Sequence, residues 1–327
     1  MRVLVFGGAG FVGLNIAAAL LARGHAVTLF DRAGVPPEAG KDFASHCDRL
    51  TAIQGDVTDG QAVKAVIARG YDAIVLGAAI TAGPAREMTD PETILRVNLL
   101  AHTPILIAAR SSGVRRIINL SSAAAYGASA FRNALLDEET PCEPASLYAI
   151  TKFASEKVAA RLAGLWQQEI ISVRLSAVFG PWELSNDVRD TPSPQAQILA
   201  AMQEGYEAVL SRPGVRDWIY AVDVAEAVTL LIEAAKPEYQ LYNISTGVEW
   251  SALRWGQELA ALHSGFVCRL TDAGEVATVD LHGPADRAPL SASRMADEFG
   301  WRARFGCRDS VADLSRWWTE HRGGNLT

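Results

Sequence analysis

Residues 1–32 restrict what this chain can fold into more than any other stretch. Residues 3–6 form an uninterrupted apolar run, as expected of a strand buried on both faces of a parallel sheet. Gly7, Gly10 and Gly13 follow at once, and then Ile16, Leu20 and Leu21 recur at helical spacing up to Arg23 and Gly24, which end the helix. A second apolar run, residues 26–30, stops at Asp31. Strand, glycine turn, helix, strand and acid, in that order, read as a dinucleotide-binding unit. One glycine makes the tight turn, one lets the backbone approach a pyrophosphate, and one lets the helix pack closely on its strand. The phosphates would meet the helix N-terminus, where N–H groups and the helix dipole favour negative charge.

The residues expected to hold this cofactor are Gly7, Gly10, Phe11, Val12 and Gly13, with Asp31 and Arg32 at the end of the second strand. Asp31 can accept hydrogen bonds from both adenosine ribose hydroxyls and would repel a 2′-phosphate, which favours NAD over NADP. Arg32 weighs the other way, since an arginine there could meet such a phosphate.

Further along, residues 33–48 read as a loop rich in glycine, proline and charge, and residues 50–54 as a strand leading to Asp56 and Val57. Asp56 lies where ligands bind in open α/β sheets; it could hold the adenine amino group or cap the helix expected over 61–69. After the strand at 73–76, Ala78 and Ala79 are small enough to leave room for a flat cofactor ring. Residues 91–110 have the spacing of one long helix, carrying Asn98 and bending at Pro104. A strand at 117–120 runs into Ser121 and Ser122, a helix beginning near Ser146 carries Tyr148 and Lys152, and residues 169–175 make a sixth strand. Six strands alternating with helices predict an α/β fold with a doubly wound parallel sheet. The rhythm changes after Gly180-Pro181. Residues 1–180 are therefore expected to form the dinucleotide-binding domain, with part of the C-terminal segment returning to it, and residues 181–327 mainly a smaller substrate-binding region. Within the latter, helices are expected at 195–204, 222–235, 251–263 and 309–321, and a strand at 241–244.

The net charge of -7 argues against a general nucleic-acid binder. No apolar run reaches membrane-spanning length, and a strand with a glycine turn stands where a signal peptide would need an unbroken apolar segment, so a cytoplasmic location is expected. Cys47, Cys142, Cys268 and Cys307 are scattered without a CxxC pair and read as reduced thiols. His25, His46, His102, His263, His282 and His321 lack ligand spacing and are expected at the surface or in packing; no metal site is indicated.

Tyr148 and Lys152 lie four apart on one helix, so their side chains share a face. A phenol normally titrates near ~10, but a neighbouring ammonium favours the phenolate and makes Tyr148 a candidate base for a substrate hydroxyl. Lys152 could also hold the nicotinamide ribose. The Ser122 hydroxyl, at the preceding strand end, could bond the oxygen whose charge changes during hydride transfer.

With these residues in place, the chain resembles the extended short-chain dehydrogenase/reductase family, in particular its NAD-dependent epimerase/dehydratase branch. The likeness runs from the Gly7–Gly13 loop through Asp56, Ser121-Ser122, Tyr126-Gly127, Tyr148 and Lys152, Arg174 to Gly180-Pro181, Arg216 to Tyr220, Asp223 to Ala225, and Tyr242 to Ile244, as far as Gly300-Trp301. It implies a Rossmann fold, NAD as cofactor, and Ser122, Tyr148 and Lys152 as catalytic set, with Asn98 supporting proton relay. It also implies a homodimer pairing the helices 91–110 and 146–165 across a two-fold axis, where the alternative is their burial within the monomer.

The departures bear on the substrate. Dehydratases of the branch carry an acidic pair where this chain has Ala123 and Ala124, so dehydration is not expected. Ala177 replaces an Asn that helps many of these enzymes hold a sugar diphosphate. Arg216, which grips a phosphate in those enzymes, is retained; alternatively it pairs with Asp217 or Asp223. Trp182, Arg189, Thr191 and Ser193 fall in the stretch expected to cover the substrate. Ser122, Ala123, Tyr148, Ala177, Trp182 and Arg216 are the candidate substrate contacts. The leading expectation is an NAD-dependent oxidoreductase acting on a secondary hydroxyl of a sugar or sugar-derived acid. A nucleotide-sugar 4-epimerase that keeps its NAD is the alternative, and a non-catalytic cofactor-sensing protein the third. A small-molecule substrate is expected, with neither nucleic acid nor membrane as partner.

Overall fold

The computed structural model describes residues 1–183, 190, 192–283 and 285–322. Seven parallel strands form the central sheet: β1 (Arg2–Phe6), β2 (Ala26–Asp31), β3 (Leu50–Gln54), β4 (Ala73–Leu76), β5 (Arg116–Ser122), β6 (Glu169–Leu175) and β7 (Leu241–Ile244). Their order across the sheet is β7-β6-β5-β4-β1-β2-β3. The order reverses between β1 and β4, which opens a crevice at the C-terminal ends of those strands.

Burial on both faces explains the unbroken apolar runs. Val3 and Val5 of β1 join one cluster, and Leu4 and Phe6 join another on the opposite side. Helices α1 (Phe11–Ala22) and α6 (Ala221–Glu233) cover the first face. The second is covered by α2 (Gly60–Ile67), α3 (His102–Ser111) and α4 (Leu147–Trp166). A third cluster gathers Phe179, Trp218, Trp250 and Trp255 with apolar side chains of α5 (Pro194–Glu204), α7 (Ala252–Leu262) and α8 (Cys307–Arg322).

The chain after Gly180 returns to the sheet through α6, through β7 beside β6, and again through Met295 and Trp301 of the first cluster. Arg116, fully buried in β5, secures the first return by donating to the carbonyls of Leu231 and Ile232 at 2.7 and 3.1 Å, at the end of α6.

Two stretches differ from the sequence expectation. The segment 33–48 contains a short helix, Pro37–Asp42, and a 3-10 turn, Ala44–His46, held by the buried Ala39 and Phe43. The long helix divides into Pro91–Leu95, a wide π turn at Arg96–Leu100, and α3. Pro104 follows within α3, which continues from the π turn through helical Ala101, so the irregularity lies just before the proline.

Candidate active site

Gly7, Gly10 and Gly13, at the turn from β1 into α1, differ in role. Gly7 has φ 74°, and a Cβ there would lie 2.6 Å from Ala78 N; a Cβ on Gly13 would lie 2.3 Å from Gly7 O. Both are closed in by protein. A Cβ on Gly10 would meet only Gly7 O, at 3.2 Å, so this position faces open space. Gly10 is also the N-cap of α1, which starts with neither a capping side chain nor an acidic residue in its first turn. A loop that leaves backbone exposed over an uncapped helix start fits a pyrophosphate.

Asp31 closes the other side. Its Oδ2 accepts from Ala9 N and its Oδ1 from Ala33 N, both at 3.0 Å, which fixes the carboxylate beside the loop with lone pairs to spare for a ribose. Arg32 is exposed. Asp56 Oδ1 accepts from Thr58 N and Thr58 Oγ1, each at 2.8 Å. Burial opposes its charge, but those bonds and the nearby Arg32 and Arg96 hold it below the usual carboxylate range. The cap of α2 is Asp59, not Asp56, so one of the two roles open to Asp56 falls away. Val57 is buried; Ala78 and Ala79, half-buried, follow β4 beside Gly7. These groups together fit a dinucleotide.

Lys152 is buried in α4, with Nζ donating to Leu120 O at 2.7 Å and lying 5.7 Å from the centroid of the Tyr148 ring. Burial pushes its amine down to about 8, against the pull of Glu156. His102, buried and influenced by the Lys152 charge, is held neutral, down to about 3. Ser122 ends β5, and its Oγ accepts from Ala124 N at 3.1 Å. Behind it, Ser121 donates to Glu156, which pairs with Arg174 at 2.7 Å; that guanidinium lies 4.5 Å from the Tyr126 ring centroid. Several of the family-like residues thus form one buried brace under the serines. Asn98 acts on the loop after β4: its amide accepts from Ile80 N and donates to Ile80 O and, at 3.4 Å, to Thr151 Oγ1. That side chain thereby ties the loop after β4 to the helix that carries Tyr148 and Lys152.

A cavity of about 600 Å³ opens beside Ser122, lined also by Ala123, Ala124, Ala177, Arg216 and Arg287. Ser146 and Ala149 line it from the start of α4, on either side of Tyr148 in sequence. Arg216 pairs with neither Asp217 nor Asp223: its Nη2 donates to Leu281 O at 3.0 Å and His282 O at 3.4 Å. Asp217 instead meets Arg287 at 2.8 Å, and Asp223 accepts from Arg304 N and Phe305 N.

Three expectations are corrected. Trp182 does not line the cavity; with φ 69° it turns inward and packs edge-on against Trp317, at 4.9 Å between centroids. Ser193 caps α5 and donates to Glu183 Oε2, so its hydroxyl is occupied. His282, expected at the surface or in packing without a role at the site, lines the cavity. Arg189 and Thr191 lie outside the described residues. Arg287 was missed by sequence reasoning, since no motif marks it and it stands beside Asp286 like an ordinary surface pair.

Comparison with known families settles what this frame is. A profile described as the NAD dependent epimerase/dehydratase family matches residues 3–245. The chain belongs to that family. It is an NAD-dependent enzyme of the extended short-chain dehydrogenase/reductase type with a Rossmann fold. A UDP-glucose 4-epimerase from Mycolicibacterium smegmatis is 26% identical over 326 residues, covering 95% of this chain and 96% of that protein. The crystal structure of a Thermotoga maritima UDP-glucose 4-epimerase with UDP-glucose superposes with a TM-score of 0.80 at 19% identity, covering 98% of this chain and 99% of that one. A Bacillus anthracis dTDP-glucose 4,6-dehydratase in complex with NAD gives 0.79 at 20% identity, covering 99% and 98%.

Proposed function

We propose that this chain oxidises a secondary hydroxyl of a sugar or sugar-derived acid, with Tyr148 as the base. The observation that supports the reading is Lys152, which donates to Leu120 O in β5 with its Nζ 5.7 Å from the Tyr148 ring centroid, while Ser122 ends the same strand. Bound NAD supplies the acceptor for the hydride, at nicotinamide C4. Tyr148 takes the hydroxyl proton as the carbonyl forms. The Lys152 ammonium beside its ring favours the phenolate, and Ser122 bonds the substrate oxygen. Gly7, Gly10, Phe11, Val12, Gly13, Asp31, Asp56, Val57, Ala78 and Ala79 form the cofactor crevice, and Asn98 positions the loop after β4. Ala123 and Ala124 line the cavity, and no carboxylate does so among the described residues, which supports oxidation rather than elimination of water.

A second reading, a UDP-sugar 4-epimerase, is supported by Arg216 and Arg287 facing one cavity and by the Mycolicibacterium relative. Incubation with excess NAD and a panel of aldoses, sugar acids and UDP-sugars separates the two. Stoichiometric NADH supports the dehydrogenase, and isomerised product without NADH supports the epimerase.

The region after residue 180 is taken as mainly substrate-binding, on the strength of its own apolar cluster and of Arg216, His282 and Arg287 in the cavity. A homodimer through the 91–111 segment and α4 is supported by exposed apolar side chains there: Leu100, Ile107, Ile150 and Leu165. The unpaired cysteines support a reducing, cytoplasmic setting.

A further inference from the structure

We infer that Arg287, with Arg216 beside it, seats the carboxylate of a free sugar acid, so that the substrate carries no nucleotide. The inference rests on the hydride-transfer reading above and narrows its substrate.

Two guanidinium groups line a cavity to which no described residue contributes a carboxylate. They are close enough to repel: burial first, and then the Arg287 charge, push Arg216 down to about 10. Like charges facing one space are relieved by an anion. Arg287 is held in place without being used up. Its Nη1 donates to Ala288 O and faces Asp217 Oδ1, and its Nη2 donates to Ser176 Oγ at 2.8 Å. Its Nε has no acceptor among the described residues, and neither do Nε and Nη1 of Arg216. The Nε–Nη2 edge of an arginine is a planar fork matched to two carboxylate oxygens.

The anchor stands close to the reacting end. Ser122 is paired with Leu175 across the sheet, and Ser176 is the next residue. Neighbouring strands lie ~4.8 Å apart with a rise of ~3.3 Å per residue, which puts the two serine Cα atoms about 6 Å apart. One sugar acid can reach from the Ser122 hydroxyl to the fork on Ser176.

Beyond Arg216 the chain closes the space itself. Thr278 N and Val279 N both donate to Val209 O, Thr278 Oγ1 accepts from Val209 N, and Gln197 exchanges two hydrogen bonds with Asp280. Val279 and Leu281 are buried in the third cluster. The strand Ala208–Leu210 is thereby paired on both edges, with Cys268–Leu270 and with Val279, and none of its residues lines the cavity. Segment 278–282 is thus fixed in place and bounds the cavity on the Arg216 side, which leaves that side to a compact substrate.

The test measures NADH formed by the intact protein with NAD and four matched sets: aldonic and uronic acids, the corresponding aldoses and alditols, sugar phosphates, and UDP-sugars. A sugar acid is expected to be oxidised. Arg287→Met should raise its KM about tenfold to a hundredfold, more than it lowers kcat, and erase the preference over the uncharged sugar. Arg287→Lys, which keeps a charge opposite Asp217, should recover part of that preference and serves if the Met variant does not fold. If Arg287→Met lowers turnover of acid and uncharged sugar alike, the arginine only balances Asp217 and the inference is overturned. Tyr148-dependent turnover of a UDP-sugar or sugar phosphate, with no sugar acid oxidised, overturns the inference and leaves the hydride-transfer reading standing. Absence of any Tyr148-dependent turnover overturns both.

Discussion

Lys152 is a charged group kept where water cannot reach it. Its proton is released near 8 in the folded chain, below the ordinary 10.5, so the folded state binds fewer protons than the unfolded one between those values. Stability contributed at this site is therefore lowest below about 8, where the buried charge is fully carried, and rises with pH through that window. Replacing Lys152 by Met should give an inactive protein whose stability advantage over the wild type is greatest near pH 7 and shrinks toward pH 10. Denaturant unfolding of both proteins across this range checks it, and parallel curves would contradict the assignment. Asp31 allows a second test at this scale. Its carboxylate oxygens already accept from the loop, so Asp31→Ala should weaken NAD binding more than NADP binding, read by fluorescence titration; an unchanged ratio removes its ribose role.

Among the elements, α1 depends on its close approach to the loop. A Cβ at Gly13 would sit 2.3 Å from Gly7 O, so Gly13→Ala must push the helix start off the loop. Cofactor affinity should fall at least tenfold while the circular dichroism spectrum stays close to that of the wild type, and retained affinity would show that α1 can yield there. The inner sheet strands were legible because their apolar runs reflect burial on two faces, whereas the edge strand β3 is largely exposed, and Ser146, which caps α4, marked where that helix begins. The π turn at Arg96–Leu100 was not legible, because apolar spacing is nearly the same on both sides of one inserted residue. Trp182 resembled a lid residue by its place after Gly180-Pro181. Only the turn at φ 69° sends it toward Trp317 instead. Arg287 meets Ser176 across 111 residues of sequence, a pairing that local spacing cannot report.

For the whole molecule, the family frame predicts an assembly that the exposed side chains can test. Leu100 and Leu165 are 60% and 57% exposed, on the segment and helix proposed to pair with a second copy. Leu100→Glu with Leu165→Glu should convert a dimer to a monomer in light scattering, and an unchanged mass would place the interface elsewhere. The same frame ties the crevice to the cavity, since β5 delivers Ser122 to one wall and α6 and β7 bring the C-terminal region back to the sheet. The most direct test of the account is the NADH produced by wild type and Tyr148→Phe with a substrate found in the panel. The account predicts that the variant binds NAD as the wild type does and loses about a hundredfold or more in turnover. Turnover retained in Tyr148→Phe would contradict it.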